Sequence, residues 1–251
     1  MFKILLQLLI LGFCCCAGAA ERLRIATEGV YPPFSFTNEQ GQLAGFDVDI
    51  ARELCRRLEK ECDIIAVPWD ELLPGLAAGR YDAIIASMSK TPERERQAEF
   101  TDPYYRTRDV FTGRSDAGVS HISPETVRGK ILTTQAGTIY ADYLRDRYQG
   151  VATVRLTKTI PDAFAAVAGR EADFALSDNL SAFQFMRSDA GQSLDIIGAP
   201  ISIGEIVEAC HIQVRKGDLR LRDSLNAALR ELWLDGTHHK INARYFPFDI
   251  Y

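Results

Sequence analysis

The run Ser87-Met88-Ser89-Lys90-Thr91-Pro92-Glu93-Arg94 carries the densest chemistry in the chain. It leaves a predicted strand and enters a helix, with Thr91 placed as N-cap and Pro92 at the first helical position. Hydroxyls, free N–H groups and a guanidinium thus converge. Such a set suits a carboxylate, held by Arg94 in a bidentate fork and helped by N–H groups of the Ser89 turn. The competing role for Arg94 is pairing with a neighbouring Glu on a solvated helix face, as expected of Arg96. Asp178 ends a strand whose preceding residues, Phe174 to Leu176, are apolar. Its carboxylate then sits at a cleft rim, where an ammonium group is the obvious complement, or it only caps the helix that follows. Glu28, Tyr31, Phe34 and Trp69 fall on loops after predicted strands. There Glu28 could bind a cation, and Tyr31 or Trp69 could sandwich a ligand's stem or charge. Aromatics after strands often belong to the core, and a lone loop Glu is usually solvated. Taken together, a carboxylate clamp, an ammonium acceptor and an acid at an aromatic wall describe a free amino acid with a basic side chain.

Those residues need a frame. Leu23, Ile25 and Thr27 alternate with Arg24 and Ala26, which reads as a strand, and Gly29, Pro32 and Pro33 force a loop after it. Asp47 is placed to cap a helix with Ile50, Ala51, Leu54 and Leu58 on one face. Cys62 to Val67 follows as a strand, Asp70 to Ala78 as a helix ended by Gly79, and Asp82 to Ala86 as a third strand. Alternation of this kind predicts a parallel α/β sheet. An internal echo extends the pattern: Ala78-Gly79-Arg80-Tyr81-Asp82 is matched by Ala168-Gly169-Arg170-Glu171-Ala172-Asp173. In both copies an Asp opens a short buried strand, and a polar residue follows five positions later, Ser87 or Asp178. Ligands of open α/β sheets bind outside the carboxyl ends of strands, which is where both polar residues fall.

Between the copies, Lys130 to Thr134 reads as a strand, followed by Gln135, Ala136, Gly137 and Thr138 and a helix bearing Tyr140, Tyr143 and Leu144. N–H groups at that helix start suit an anion. No phosphate-loop motif is present, so the stretch is weak as a nucleotide site. Beyond Asp178 the chain runs through Phe183 and Phe185, then Ile201 to Val214, and a final helix with Leu221, Leu225, Leu229 and Leu232 stopped by Gly236. Two sheet units without a Pro- or Ser-rich linker imply lobes tied by more than one strand, with the ligand in the mouth between them.

With 251 residues, 47% apolar and 25% charged, the chain is neither disordered, collagenous nor coiled coil. The net charge of −5 and the lack of a basic block make nucleic acid a poor partner. Residues 1–20 read as a secretory signal peptide: a positive start at Lys3, an apolar run to Ala17 and small residues to Ala20. The run is shorter than the roughly 18 to 20 residues of a membrane span. Cys14, Cys15 and Cys16 raise lipidation, yet Phe13, Cys14 and Cys15 stand where a lipobox needs a small residue, so a lipid anchor is the lesser expectation. Removing the segment leaves Cys55, Cys62 and Cys210. Cys55 lies late in a helix and Cys62 at a strand start, which fits a local disulfide in an oxidising compartment. Metal binding is the rival, but there is no CxxC and the four histidines are scattered, so no metal or other cofactor is expected. Cys210 is then a buried thiol.

The run Gly45-Phe46-Asp47-Val48-Asp49-Ile50, with Leu54, Cys55 and Leu58, resembles the signature of the periplasmic polar amino acid-binding proteins of bacterial ABC importers (solute-binding protein family 3). Thr27 to Phe34 looks like that family's first binding loop, the Ser-Met-Ser-x-Thr-x-x-Arg run like its carboxylate loop, and Phe100 to Tyr104 also fits. The resemblance extends over essentially the whole mature chain. It implies a two-lobed, type II Venus-flytrap α/β fold, with lobe 1 over 21–110 plus 210–251 and lobe 2 over 111–209, closing on ligand. It further implies a periplasmic monomer that delivers an amino acid to an importer permease. Arg94, Ser89 and the helix start at Thr138 then hold the α-carboxylate, Ser87 and Asp178 the α-ammonium, Tyr31 and Trp69 the side chain, and Glu28 its distal charge. The Cys55 and Cys62 pair matches the disulfide of the lysine/arginine/ornithine- and histidine-binding members. Three positions depart from those relatives. Glu28 replaces an Asp, Ala86 replaces a serine, and Ile139 stands where some members carry a hydroxyl, leaving only its backbone N–H. Arginine, lysine, ornithine, histidine or an arginine-derived opine all stay open as ligand. The same architecture also serves cyclohexadienyl dehydratases and soluble ligand carriers for sensors or chemoreceptors. Against an enzyme stands the absence of a Ser/His/Asp arrangement or a titratable pair at reliable spacing.

Overall fold

The computed structural model describes residues 22–204 and 209–251; the expected signal peptide with Cys14, Cys15 and Cys16 lies outside them. The alternating apolar residues at the start form β1 (Arg22–Thr27), which is followed by a small antiparallel meander, β2 (Val30–Tyr31), β3 (Ser35–Thr37) and β4 (Leu43–Ala44). Then come α1 (Phe46–Arg57), β5 (Glu61–Ala66), α2 (Trp69–Ala77), β6 (Ala83–Ser89), the short α3 (Pro92–Glu95) and β7 (Ala98–Arg106). The second lobe holds β8 (Asp109–Arg114), β9 (Ile131–Gln135), α4 (Ile139–Tyr148), β10 (Thr153–Thr157), α5 (Ile160–Ala168), β11 (Phe174–Asp178), α6 (Asn179–Met186) and β12 (Leu194–Ile196). The chain returns through β13 (Ala209–Arg215) and closes with α7 (Leu219–Leu234) and α8 (Thr237–Tyr245).

Two five-stranded sheets result, ordered β5-β1-β6-β13-β7 and β10-β9-β11-β8-β12. The expected parallel arrangement holds only for β5, β1 and β6 and for β10, β9 and β11. Strands β13 and β8 run antiparallel to their neighbours, because each enters its sheet directly from the other lobe with no crossover helix to turn it round. The first sheet's β7 ends at Arg106 and β8 opens at Asp109, so the boundary expected at 110 falls inside β8, and β13 begins at Ala209. Within the stretch read as Ile201 to Val214, Ile201 makes an isolated bridge to Asp109, and β13 occupies Ala209–Arg215. Gly236, at φ 76°, follows the end of α7 as expected, but α7 is not the last helix: the same glycine turns the chain into α8.

The internal echo is structural. Asp82 accepts the Arg24 N–H at 3.0 Å and Asp173 accepts the Ile131 N–H at 2.8 Å, while the Asp82 and Asp173 N–H groups donate back to the Arg24 and Ile131 carbonyls. Each Asp thereby fixes the register of β6 on β1, or of β11 on β9, and sends the polar residue five positions later to the sheet's carboxyl end.

Helix α1 differs from expectation in an instructive way. Its N-cap is Gly45 at φ 122°, and Asp47 lies inside the helix, fully buried. A Cβ on Gly45 would stand 2.2 Å from the Phe34 carbonyl oxygen. That closeness lets the Phe46 and Asp47 N–H groups donate to the Pro33 and Phe34 carbonyls at 3.0 and 2.8 Å, pinning the first binding loop to the helix start. At the other end of α1, Cys55 and Cys62 form a disulfide across a Cα separation of 5.8 Å. Gly45→Ala is therefore expected to destabilise the protein by at least about 3 kcal/mol in urea unfolding, since backbone strain and a backbone clash add. Cys55→Ser, which reopens a short loop, is expected to remove about 2 to 3 kcal/mol by the same measurement.

Candidate functional site

Arg94 reaches the mouth between the lobes because Thr91 caps α3, its side chain accepting the Arg94 N–H, with Pro92 at the first position. The guanidinium donates to the Ser89 carbonyl at 2.9 Å and to the Gly137 carbonyl at 3.4 Å, and lies 5.4 Å from the Trp69 ring centroid. Burial lowers its pKa. Among the described residues no carboxylate pairs with it, so the solvated-pair alternative does not hold.

Facing Arg94 from the second lobe is the start of α4. Thr138 caps this helix by accepting the Ala141 N–H and donates its own proton to the Gln135 carbonyl at 2.7 Å. Gly137, at φ 70°, turns the chain tightly enough for the Trp69 indole to donate to its carbonyl at 2.9 Å.

Asp178 caps the helix that follows it, and its side chain also lines the cavity between the lobes. One carboxylate oxygen caps α6, accepting the Leu180 and Ser181 N–H groups at 2.9 and 2.8 Å. The other accepts the Ser181 hydroxyl and the Tyr31 hydroxyl across the cleft. Tyr31 stacks on Phe34 with centroids 5.3 Å apart, and burial together with the Asp178 charge raises its pKa well above 10. Glu28 sits where β1 ends, 6% exposed, and accepts the Gln135 side-chain amide, which also donates to the Lys158 carbonyl at 3.1 Å. Burial pushes the Glu28 carboxyl up to about 7, with the Gln135 bond opposing the shift.

All ten residues singled out in the sequence (Glu28, Tyr31, Trp69, Ser87, Ser89 and Arg94 from the first lobe, Gln135, Thr138, Ile139 and Asp178 from the second) line one cavity. Four polar contacts span the lobes there: Tyr31 to Asp178, Gln135 to Glu28, and Trp69 and Arg94 to the Gly137 carbonyl. They leave a cavity of about 40 Å³, room for a few waters. No cluster of His, Cys, Asp and Glu able to hold a metal occurs among the described residues.

The profile of the bacterial extracellular solute-binding proteins, family 3, matches residues 23–248. The chain belongs to this family. Among its relatives, the L-arginine-binding protein of Pseudomonas aeruginosa is 34% identical over 93% of this chain and 91% of its own length. The histidine-binding periplasmic protein of Escherichia coli is 33% identical, covering all of this chain and 99% of its own. An ancestral arginine-binding protein solved with arginine superposes with a TM-score of 0.82 at 30% identity, covering 90% of this chain and 98% of its own. The two-lobed fold is that of these periplasmic binding proteins.

Sequence reasoning did not single out Tyr105, Thr107, Tyr140 and Ile160, which also line the cavity, nor did it place Cys210 there, although it foresaw a buried thiol. Their apolar surroundings make them look like core, and only the meeting of two lobes turns them into a wall. It also read Asp47 as a cap, whereas its carboxylate accepts the Ser87 and Tyr104 hydroxyls at 2.9 and 2.8 Å.

The raised Glu28 carboxyl sets a pH dependence. Its folded value of about 7 exceeds the ordinary 4.5, so the folded state holds more protons between those values, and its contribution falls as pH rises through 7. Glu28→Gln is expected to melt higher than the unaltered protein at pH 8, by an amount of the order of 3 kcal/mol at most, with the gap closing by about pH 4.5. Thermal unfolding at the two pH values reads this directly.

Proposed function

We propose that this family 3 protein captures a free basic amino acid between its lobes in the periplasm and hands it to the permease of an ABC importer. One observation carries the reading: a partly buried guanidinium with no carboxylate partner among the described residues lines the same cavity as the buried carboxylates of Asp178 and Glu28. In this reading Arg94, Ser89 and the start of α4 at Thr138 and Ile139 take the α-carboxylate. Ser87 and Asp178 take the α-ammonium. Tyr31 and Trp69 flank the side chain, and Glu28, held by Gln135, meets its terminal cation. A cation there favours ionised Glu28, so the ligand reverses the desolvation that raises its carboxyl.

The Cys55–Cys62 disulfide and the secretory leader read from residues 1–20 support an oxidising, exported location. The relatives that match over nearly the whole chain are named as binding proteins for arginine and histidine, which supports binding rather than catalysis as the role.

A thermal-shift panel of amino acids tests the reading. Arginine, lysine, ornithine or histidine at a hundred times its dissociation constant adds about 2.7 kcal/mol, while aspartate and glutamate add none. Stabilisation by acidic amino acids alone overturns the assignment of Glu28. In calorimetry, Arg94→Ala is expected to weaken the bound amino acid by at least about 2 kcal/mol, and Glu28→Gln to weaken arginine far more than glutamine. Unchanged affinity in Arg94→Ala overturns the carboxylate clamp.

A further inference from the structure

Ser87 lies in β6 with φ 55°, at an irregularity where the β13 register shifts between His211 and Gln213. A non-glycine residue in the left-handed region needs its surroundings to hold it. Both of its protons are committed on the protein side. The Ser87 hydroxyl donates to Asp47 Oδ2 at 2.9 Å, and the Ser87 N–H donates at 3.0 Å to the Tyr104 hydroxyl, which in turn donates to Asp47 Oδ1 at 2.8 Å. One carboxylate therefore closes a ring around the residue. Asp47 and Tyr104 are fully buried, while Ser87 lines the cavity.

We infer that Asp47 is a positioning residue that makes Ser87 an acceptor toward the cleft, so that this end of the site admits an ammonium group and rejects ligands that lack one. With its hydroxyl and amide protons drawn to Asp47 and Tyr104, Ser87 turns only oxygen lone pairs to the ligand. Asp178, which lines the same cavity, is also an acceptor. A neutral amide at position 47 donates as well as accepts, so the Ser87 hydroxyl is free to turn its proton toward the cleft, where it opposes an ammonium. This inference rests on the proposed ammonium subsite.

The test compares L-arginine with 5-guanidinovalerate, which keeps the carboxylate and the guanidinium and lacks only the α-ammonium. Calorimetry on the unaltered protein is expected to favour arginine strongly. In Asp47→Asn that preference is expected to shrink at least about tenfold while guanidinovalerate affinity holds, as loss of a charge-assisted hydrogen bond implies. Tyr104→Phe, which deletes one oxygen and leaves the aromatic packing, tests the second arm of the ring and serves where Asp47→Asn does not fold. It is expected to reduce the same preference by a smaller factor. An equal loss for both ligands, or an unchanged preference, in the folded variants assigns Asp47 a purely structural role and overturns the inference. If the unaltered protein binds arginine without preferring it to guanidinovalerate, the ammonium subsite itself fails, a result distinct from failure of the Asp47 role.

Discussion

Buried negative charge is the constraint around which this protein is organised. Four carboxylates, Glu28, Asp47, Asp109 and Asp178, are 6% exposed or less, and no Lys or Arg is buried to that degree among the described residues. A carboxylate withdrawn from water is tolerated only where donors surround it. Each finds them in hydroxyls, amides or helix N–H groups: Gln135 for Glu28, Ser87 and Tyr104 for Asp47, Tyr140 for Asp109, and Tyr31, Ser181 and the start of α6 for Asp178. Neutral donors stabilise these groups without cancelling their charge. Burial still raises Glu28 and Asp47 to about 7, so an added cation in the cleft favours their ionised forms. Under the proposed function that cation comes from the ligand, and Arg94 takes its carboxylate.

The two lobes deliver those groups by one repeated device. An Asp just before β6 and another just before β11 lock each strand in register on its neighbour, so Ser87 and Asp178 take equivalent places five residues further along. The ends then face each other, bringing Ser87 from one lobe and Asp178 from the other to a common cavity. Asn179, next to Asp178, accepts the Thr107 hydroxyl and the Arg108 N–H, which couples that strand end to the crossing segment. The C-terminal segment adds a further tie, since Arg106 donates to the Ile250 carbonyl at 2.7 Å and Phe248 meets Phe183 of α6.

Much of this was legible in the chain. The Gly45-Phe46-Asp47 run, the Ser87 to Arg94 run and the paired Asp motifs are local patterns, because caps, turns and strand openings are determined by residues a few positions apart. Most of the ten cavity residues lie near strand ends and helix starts, which periodicity locates and where ligands of α/β folds gather, while the family resemblance supplied others, Ile139 among them. What escaped was set by contacts between distant segments. Asp47 has the sequence position of a helix cap, yet Gly45 approaches Phe34 so closely that the helix begins two residues earlier and Asp47 turns inward toward Ser87 and Tyr104. The antiparallel course of β8 and β13 escaped as well, because it follows from how the chain crosses between lobes and leaves no mark on their apolar composition.

The sequence by itself thus determined which chemical groups are available and at which strand ends they lie, since both follow from residue type and short-range periodicity. Only the tertiary structure decided which of those groups face one another, and with what charge. Tyr31 and Asp178 are 147 positions apart, and Glu28 and Gln135 are 107 apart. Their pairing, the desolvation that raises Glu28 to about 7 and the commitment of both Ser87 protons to the Asp47 ring all arise when two lobes and a helix start are brought into contact. Electrostatic energies depend on separation and local dielectric in space, and neither can be read from separation along the chain.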